Sequence, residues 1–155
     1  MMLKTAIVPD CKEPLSIEEF SISMNEMGVK SDFAVAISGG ADSLALAILS
    51  KEWAKQNQTS ITAITINHGL RKESAREAEQ VSLWMKERGI SHHILNWTGL
   101  KPTSGLQAKA RKARFDLLSN WCSSNQIHNL ILGHHKDDQE ETFLLRLSRG
   151  SGPIG

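Results

Sequence analysis

The sequence is short of cysteine, of net charge and of long apolar runs, and each shortage excludes something. Its 155 residues hold two cysteines, Cys11 and Cys122, far apart and in no C-x-x-C pair. That argues against a disulfide framework, a zinc ribbon or a cysteine-ligated iron–sulfur cluster within the chain. Basic residues exceed acidic ones by 18 to 17, a net charge of +1, which removes the global signature of a nucleic-acid binder but leaves room for a local basic patch. No segment approaches the ~18 consecutive apolar residues of a membrane-crossing helix. The start, Met1-Met2-Leu3-Lys4, lacks the continuous apolar stretch of a secretory signal, so a cytoplasmic protein is expected. No internal repeat or low-complexity segment is visible.

What is present describes an ordinary globular chain, 40% hydrophobic and 23% charged, with enough length for a single good core. Residues 1–14 carry Pro9, Cys11 and Pro14 without periodicity and read as an irregular lead-in. Ile17, Phe20, Met24 and Met27 repeat at helical spacing after Ser16, and Gly28 ends that helix. Apolar runs of strand length follow at Phe33–Ile37, Ile61–Ile66, Ile90–Leu95 and Asn129–Leu132. Helix-period stretches lie between them, at Asp42–Gln56, Lys72–Arg88 and Gly105–Ser123, and a last helix is expected from about Asp137 to Leu147. Strands alternating with helices predict an α/β fold, a doubly wound parallel sheet covered on both faces.

Between the first of those strands and its helix stands Ser38-Gly39-Gly40-Ala41-Asp42-Ser43. The two glycines let the backbone turn sharply and approach an anion with no Cβ in the way. The following helix start adds N–H groups and a dipole that favours negative charge. Ser38 and Ser43 offer hydroxyl donors, and Asp42 can cap the helix or help to hold Mg²⁺. A tight turn with a good N-cap would use the same residues. No Gly-Lys-Ser/Thr follows, so this is not a Walker loop, and it does not match G-x-G-x-x-G.

Asn67-His68-Gly69-Leu70-Arg71 follows the second strand, at the edge where ligands bind in open α/β sheets. After the fourth strand comes Gly133-His134-His135-Lys136-Asp137-Asp138-Gln139-Glu140-Glu141-Thr142. Acidic residues in a helix's first turn are stabilising, but so many exceed what a cap requires, because like charges at i,i+3 and i,i+4 repel. A cationic ligand, Mg²⁺ or an ammonium group, would explain them; a transition-metal site on His134, His135 and Asp137 is a further option. In Gln107–Phe115, helical projection puts Leu106, Ala110, Ala113, Leu117 and Trp121 on one apolar stripe. Lys109, Lys112 and Asp116 point away from it, Arg114 falls inside it and Arg111 on its flank. A buried arginine needs an anion, either a structural carboxylate or a phosphate.

These segments, in this order, resemble the PP-loop ATP pyrophosphatases and, among them, the tRNA(Ile)-lysidine synthetases. Ser38–Ser43 resembles the S-G-G-x-D-S signature, and Asn67–Arg71 the N/H-H-G-L-R segment. Gln107–Phe115 is similar to Q-A-x-A-R-x-x-R-Y/F and His134–Thr142 to H-H-x-D-D-Q-x-E-T, with Lys136 and Glu140 at its variable positions. Arg149-Gly150-Ser151-Gly152 resembles an R-G-S-G loop. The resemblance spans Ile37 to Gly155 and implies a Rossmann-like fold of the adenine nucleotide alpha hydrolase type. Residues 1–155 would form an N-terminal ATP-binding domain, truncated at that glycine-rich loop, with tRNA-binding domains beyond it.

The implied reaction uses ATP to adenylate the C2 oxygen of the wobble cytidine of isoleucine tRNA with a CAU anticodon; free L-lysine then displaces AMP to form lysidine. In this scheme Ser38, Gly39, Gly40, Ala41, Asp42, Ser43 and His68 bind ATP, while Asp42 and Asp138 hold Mg²⁺. Asp137 and Glu141 bind lysine, either of them serving as base, and Arg111 and Arg114 face phosphates of ATP or tRNA. The catalytic set is therefore Asp42, Arg111, Arg114, Asp137, Asp138 and Glu141. The resemblance is compatible with a homodimer in the longer protein. Valine at Gly39 or Gly40 is expected to abolish ATP binding with the fold intact. Two other readings compete: a PP-loop relative such as a 2-thiocytidine synthetase, which would carry paired cysteines, and a non-catalytic nucleotide-binding module.

Overall fold

In the computed structural model, residues 2–7, 15–101, 103–136 and 139–146 are described, with side chains for 15–101, 103–106 and 108–132. Helix α1 (Ile17–Met27) starts where Ser16 and Glu19 form a reciprocal capping box. The Glu19 amide donates to the Ser16 hydroxyl at 3.2 Å, and the Ser16 amide donates to the Glu19 carboxylate at 2.9 Å. The helix stops at Gly28, whose left-handed φ of 74° suits a residue without Cβ. Phe20, Met24 and Met27 form its buried stripe.

The core then alternates β2 (Phe33–Ala36), α2 (Ala41–Gln56), β3 (Ile61–Asn67), α3 (Ser74–Glu87), β4 (Ser91–Asn96), α4 (Leu106–Ser124) and β5 (Asn129–Lys136). Their spatial order is β5-β2-β3-β4, all parallel. Because strand side chains alternate, each strand feeds two cores. Phe33, Val35, Ala63 and Ile131 pack with Phe20, Trp53, Val81 and Met85 of α1, α2 and α3. Ala34, Ile64, Leu130 and Leu132 pack with Leu118 and Cys122 of α4.

The change of face follows from the path of the chain. It steps from β2 to β3 to β4 in one direction, and α4 then carries it back to the far side of β2. Right-handed crossovers running in opposite directions put their helices on opposite faces. The reversal lies between β2 and β5, and a crevice opens at such a switch point beyond the strands' carboxyl ends.

Two expectations are corrected. The lead-in includes a strand, β1 (Met2–Ile7), and the region expected as a final helix from Asp137 is a strand, β6 (Gln139–Arg146). β6 runs antiparallel between β5 and β1, so the sheet has a parallel core of four strands with two antiparallel strands at one edge. Crowded carboxylates weaken a helix start there. Thr142-Phe143-Leu144-Leu145 suits a pleated surface, and pairing satisfies the backbone on the second edge of β5.

Candidate functional site

At the end of β2 the Ile37 amide still donates to the Ile64 carbonyl at 2.8 Å, and the chain then turns into α2. The Ser43 side chain locks the turn. Its hydroxyl donates to the Gly40 carbonyl at 2.9 Å, accepts from the Gly39 amide at 3.1 Å and lies 3.4 Å from the Ser38 hydroxyl. In this arrangement the Ser43 hydroxyl proton lies on the Gly40 carbonyl. The N-cap position is held by Gly40, with no side-chain capping bond, and Asp42 stands exposed in the first turn of the helix. An uncapped helix start is where backbone N–H groups and the dipole favour an anion.

The two glycines differ. Gly39 has φ +96°, and a Cβ there would sit 2.8 Å from Val81 Cγ2 of α3, so both backbone and packing demand glycine. Gly40 has an ordinary φ of −70°, and its Cβ would meet nothing nearer than the Ser38 hydroxyl at 3.8 Å. Neither backbone nor neighbours require glycine at 40. A side chain at 40 would have room beside the start of α2.

Beside the loop, at the switch point, lies a cavity of about 240 Å³. Ser38 and Ser43 line it from the loop, His68 from the end of β3 and Arg114 from α4, over apolar walls from Ile37, Ile64, Ile66 and Leu132. Ser74, Glu77 and Ala78 of α3 complete the other side. The cavity is electropositive. His68 Nδ1 is buried without a hydrogen-bond partner among the described residues. Burial and then the charges of Arg71 and Arg114 lower its pKa, so the imidazole is neutral at neutral pH.

Arg114 is also desolvated, and Arg111 three residues away presses its pKa further down, yet a guanidinium keeps its proton. Among the described residues no carboxylate pairs with Arg114. Glu77, in the same cavity, is 2.7 Å from Arg71 instead.

Helix α4 departs from the projected stripe by about one position. Leu106 is exposed, and the line in the core is Leu118 and Cys122, flanked by Phe115 and Trp121. Arg114 lies one helical turn before Leu118 on that line, which brings it to the cavity. Lys112 is exposed and bonds Asp116 at 2.7 Å, and Arg111 is exposed. Asp137 and Asp138 lie outside the described residues. Glu141 is described by its backbone only, paired with His134 in the register of β5 and β6. Among the described residues no group of three or more His, Cys, Asp or Glu could hold a metal. Thr65, Ser74 and Glu77, which also line the cavity, carry no distinguishing signal in the sequence; only the placing of β3 in the sheet and the packing of α3 against it bring them there.

A parallel α/β core with a glycine turn at its switch point, and across a cavity an arginine that pairs with no carboxylate among the described residues, has the architecture of a nucleotide-binding domain that lacks a Walker lysine. The chain belongs to the PP-loop domain family, which it matches over residues 15–155. It is 52% identical over 124 residues to the tRNA(Ile)-lysidine synthase of Wolbachia pipientis wMel, covering 79% of this chain and 29% of that protein. It is 40% identical over 148 residues to the tRNA(Ile)-lysidine synthase of Bradyrhizobium diazoefficiens, covering 94% of this chain and 41% of that protein. The chain thus spans less than half the length of these curated relatives. Its fold is similar to that of the U34-tRNA thiolase NcsA from Methanococcus maripaludis, solved with its [4Fe-4S] cluster. The TM-score is 0.65 at 24% identity, over 79% of this chain and 46% of that one. No helix among the described residues is long and apolar enough to cross a membrane.

Proposed function

We propose that this chain is the N-terminal ATP-binding domain of a cytoplasmic tRNA(Ile)-lysidine synthase, with tRNA-binding domains following it. The observation that carries the ATP half is Gly40, a glycine that neither its φ nor its neighbours require, in front of an uncapped helix start. The α- and β-phosphates would lie against that helix, with Arg114 gripping non-bridging oxygens from the opposite wall. His68, being neutral, can offer one ring nitrogen as donor and the other as acceptor. The tRNA half is supported by the similarity to the two named synthases.

In the reaction so inferred, the C2 oxygen of the wobble cytidine attacks the α-phosphorus. An O–P bond forms as the bond to pyrophosphate breaks. Positive charge from Arg114 and the α2 dipole stabilises the charge that builds on the phosphates. The ε-amine of lysine then forms a bond to C2 as the C2–O bond breaks and AMP leaves. An ε-ammonium has a pKa of ~10.4, so a base must take its proton, and Asp137 or Glu141 serves. Asp42 and Asp138 would hold a Mg²⁺ that neutralises phosphate charge.

The test is mass spectrometry of isoleucine tRNA incubated with the full-length protein, ATP and lysine. Lysidine is expected only when both small substrates are present, and omission of lysine leaves the tRNA at most adenylated. Incorporation of sulfur or ammonia in place of lysine overturns the reading.

A further inference from the structure

Two walls of the cavity, Thr65 on β3 and the start of α3, belong to separate elements, and a single side chain outside the cavity joins them. His92 of β4 lies within 2.8 Å of the Thr65 hydroxyl through Nε2 and within 2.9 Å of the Ser82 hydroxyl through Nδ1. The register explains the reach. His92 is opposite Ala63, so its ring leans diagonally along β3 to the residue two further on, which faces the same side of the sheet. Ser82 meets it from α3, one residue after Val81, the side chain whose Cγ2 fills the place of a Cβ at Gly39. The imidazole is therefore a rigid spacer between the β3 wall and the helix that seats the phosphate loop.

We propose that His92 is a positioning residue for the nucleotide cavity, holding Thr65 and helix α3 in fixed relation through its two ring nitrogens. The hydrogen-bond arithmetic makes this more than packing. A neutral imidazole has one donor and one acceptor, so one hydroxyl must accept from it and the other must donate to it. Ser82 and Thr65 are thereby given opposite roles. Thr65 is 4% exposed, and its hydroxyl lies within hydrogen-bond distance of His92 Nε2, so the tautomer of His92 sets which of the two donates. Loss of the ring frees both hydroxyls, loosens α3 against β3 and lets Val81 withdraw from Gly39. ATP affinity should then suffer although His92 touches no nucleotide.

This inference rests on the reading of the cavity as an ATP site, and the experiment separates the two. ATP dissociation constants and melting temperatures are measured on the full-length protein for wild type, His92→Ala, Thr65→Val, Thr65→Ser, Ser82→Ala and the Thr65→Val/His92→Ala pair. His92→Ala and Thr65→Val should each weaken ATP about tenfold, the loss of a hydrogen bond that fixes geometry. Thr65→Ser, which keeps the hydroxyl, should stay within about twofold. The pair should be no worse than the weaker-binding single variant, because both cut one relay.

Imidazole ¹⁵N shifts, assigned by the signals lost in His92→Ala, should report one neutral tautomer for His92 that responds to ATP. Folded variants with wild-type affinity, additive losses, or ring shifts indifferent to ATP overturn the inference while the ATP reading stands. Should His92→Ala not fold, Ser82→Ala, which cuts the α3 arm alone, decides by the same affinity. A wild-type protein that binds no ATP removes the ATP reading and this inference with it.

Discussion

Gly39 and Gly40 are adjacent, yet alanine at each should do opposite things. At Gly39 the new Cβ suffers twice. Holding an L-residue at φ +96° costs about 1–2 kcal/mol. The 2.8 Å approach to Val81 Cγ2 adds roughly 1–3 kcal/mol, as overpacking does in a core. Val81 cannot swing aside, since it is buried and stiff at χ1. A chain of this size loses about 2–4 °C of melting temperature per kcal/mol, so Gly39→Ala should melt roughly 4–20 °C lower.

At Gly40 the backbone is ordinary and the nearest atom 3.8 Å away. Exchanging glycine for alanine at a helix N-cap costs under about 1 kcal/mol, and the melt should hardly move. Binding should reverse the order. A side chain at Gly40 stands where a phosphate would meet the helix start, and each charge-assisted hydrogen bond displaced is worth roughly 10–100-fold in affinity. The larger Gly40→Val should abolish binding in a folded protein. Valine at Gly39 cannot be expected to leave the fold intact, so Gly40 is the cleaner probe. Melting curves and ATP titration calorimetry on the same samples give both quantities. A Gly40→Val protein that folds and binds ATP at wild-type affinity would falsify the phosphate-loop assignment, and a Gly39→Ala protein as stable as wild type would refute the packing argument.

Arg114→Lys keeps the charge but loses the planar fork and should weaken ATP or tRNA binding at least tenfold. Lys112→Ala removes only an exposed i,i+4 pair with Asp116 and should change stability by under about 0.5 kcal/mol and binding not at all; an Arg114 variant that loses stability alone would mean a structural carboxylate partner. His68 and His92 both have pKa values below the ordinary 6.5, chiefly through burial. The unfolded chain therefore binds protons more readily than the folded one, and stability is complete above pH 6.5 and falls as pH drops below it toward the folded values. Thermal melts over that range should show the slope, flattened in His68→Gln and His92→Gln; a slope of opposite sign refutes the burial argument. Cys122 is buried and its thiol is pushed up to about 12, so thiol reagents should label it only on unfolding; peptide mapping that finds it modified in the native protein contradicts that.

Much of the parallel core was legible because its signals are local. Apolar runs and helical periods marked β2 to β5 and α1 to α4, with ends mostly within one or two residues. The phosphate loop was legible because its glycines, serines and acid are contiguous. The end of the chain was less so. Thr142–Leu145 fits a strand or a helix by local pattern, and pairing with β5 and β1, remote in sequence for β1, decides the matter. The stripe on α4 was misjudged by about one position, since periodicity gives a face and the partner surface of Ala34, Ile64 and Leu130 selects which part of it is buried.

The sequence by itself marked a candidate anion site after β2, where two glycines lead into a helix start, an arrangement that a tight capped turn would also use. It also marked Arg114 as a charge in an apolar setting that needs a partner. Only the tertiary structure decided what surrounds that site. The reversal of strand order brings α4 and its arginine across the sheet to the loop, 71 positions along the chain from Ser43 to Arg114 (114 − 43). The packing of α3 makes Gly39 obligatory while leaving Gly40 free, and a histidine with no local signature ties two walls together. Short-range chemistry is written in neighbouring residues, whereas a distance between segments exists only once the chain is closed upon itself.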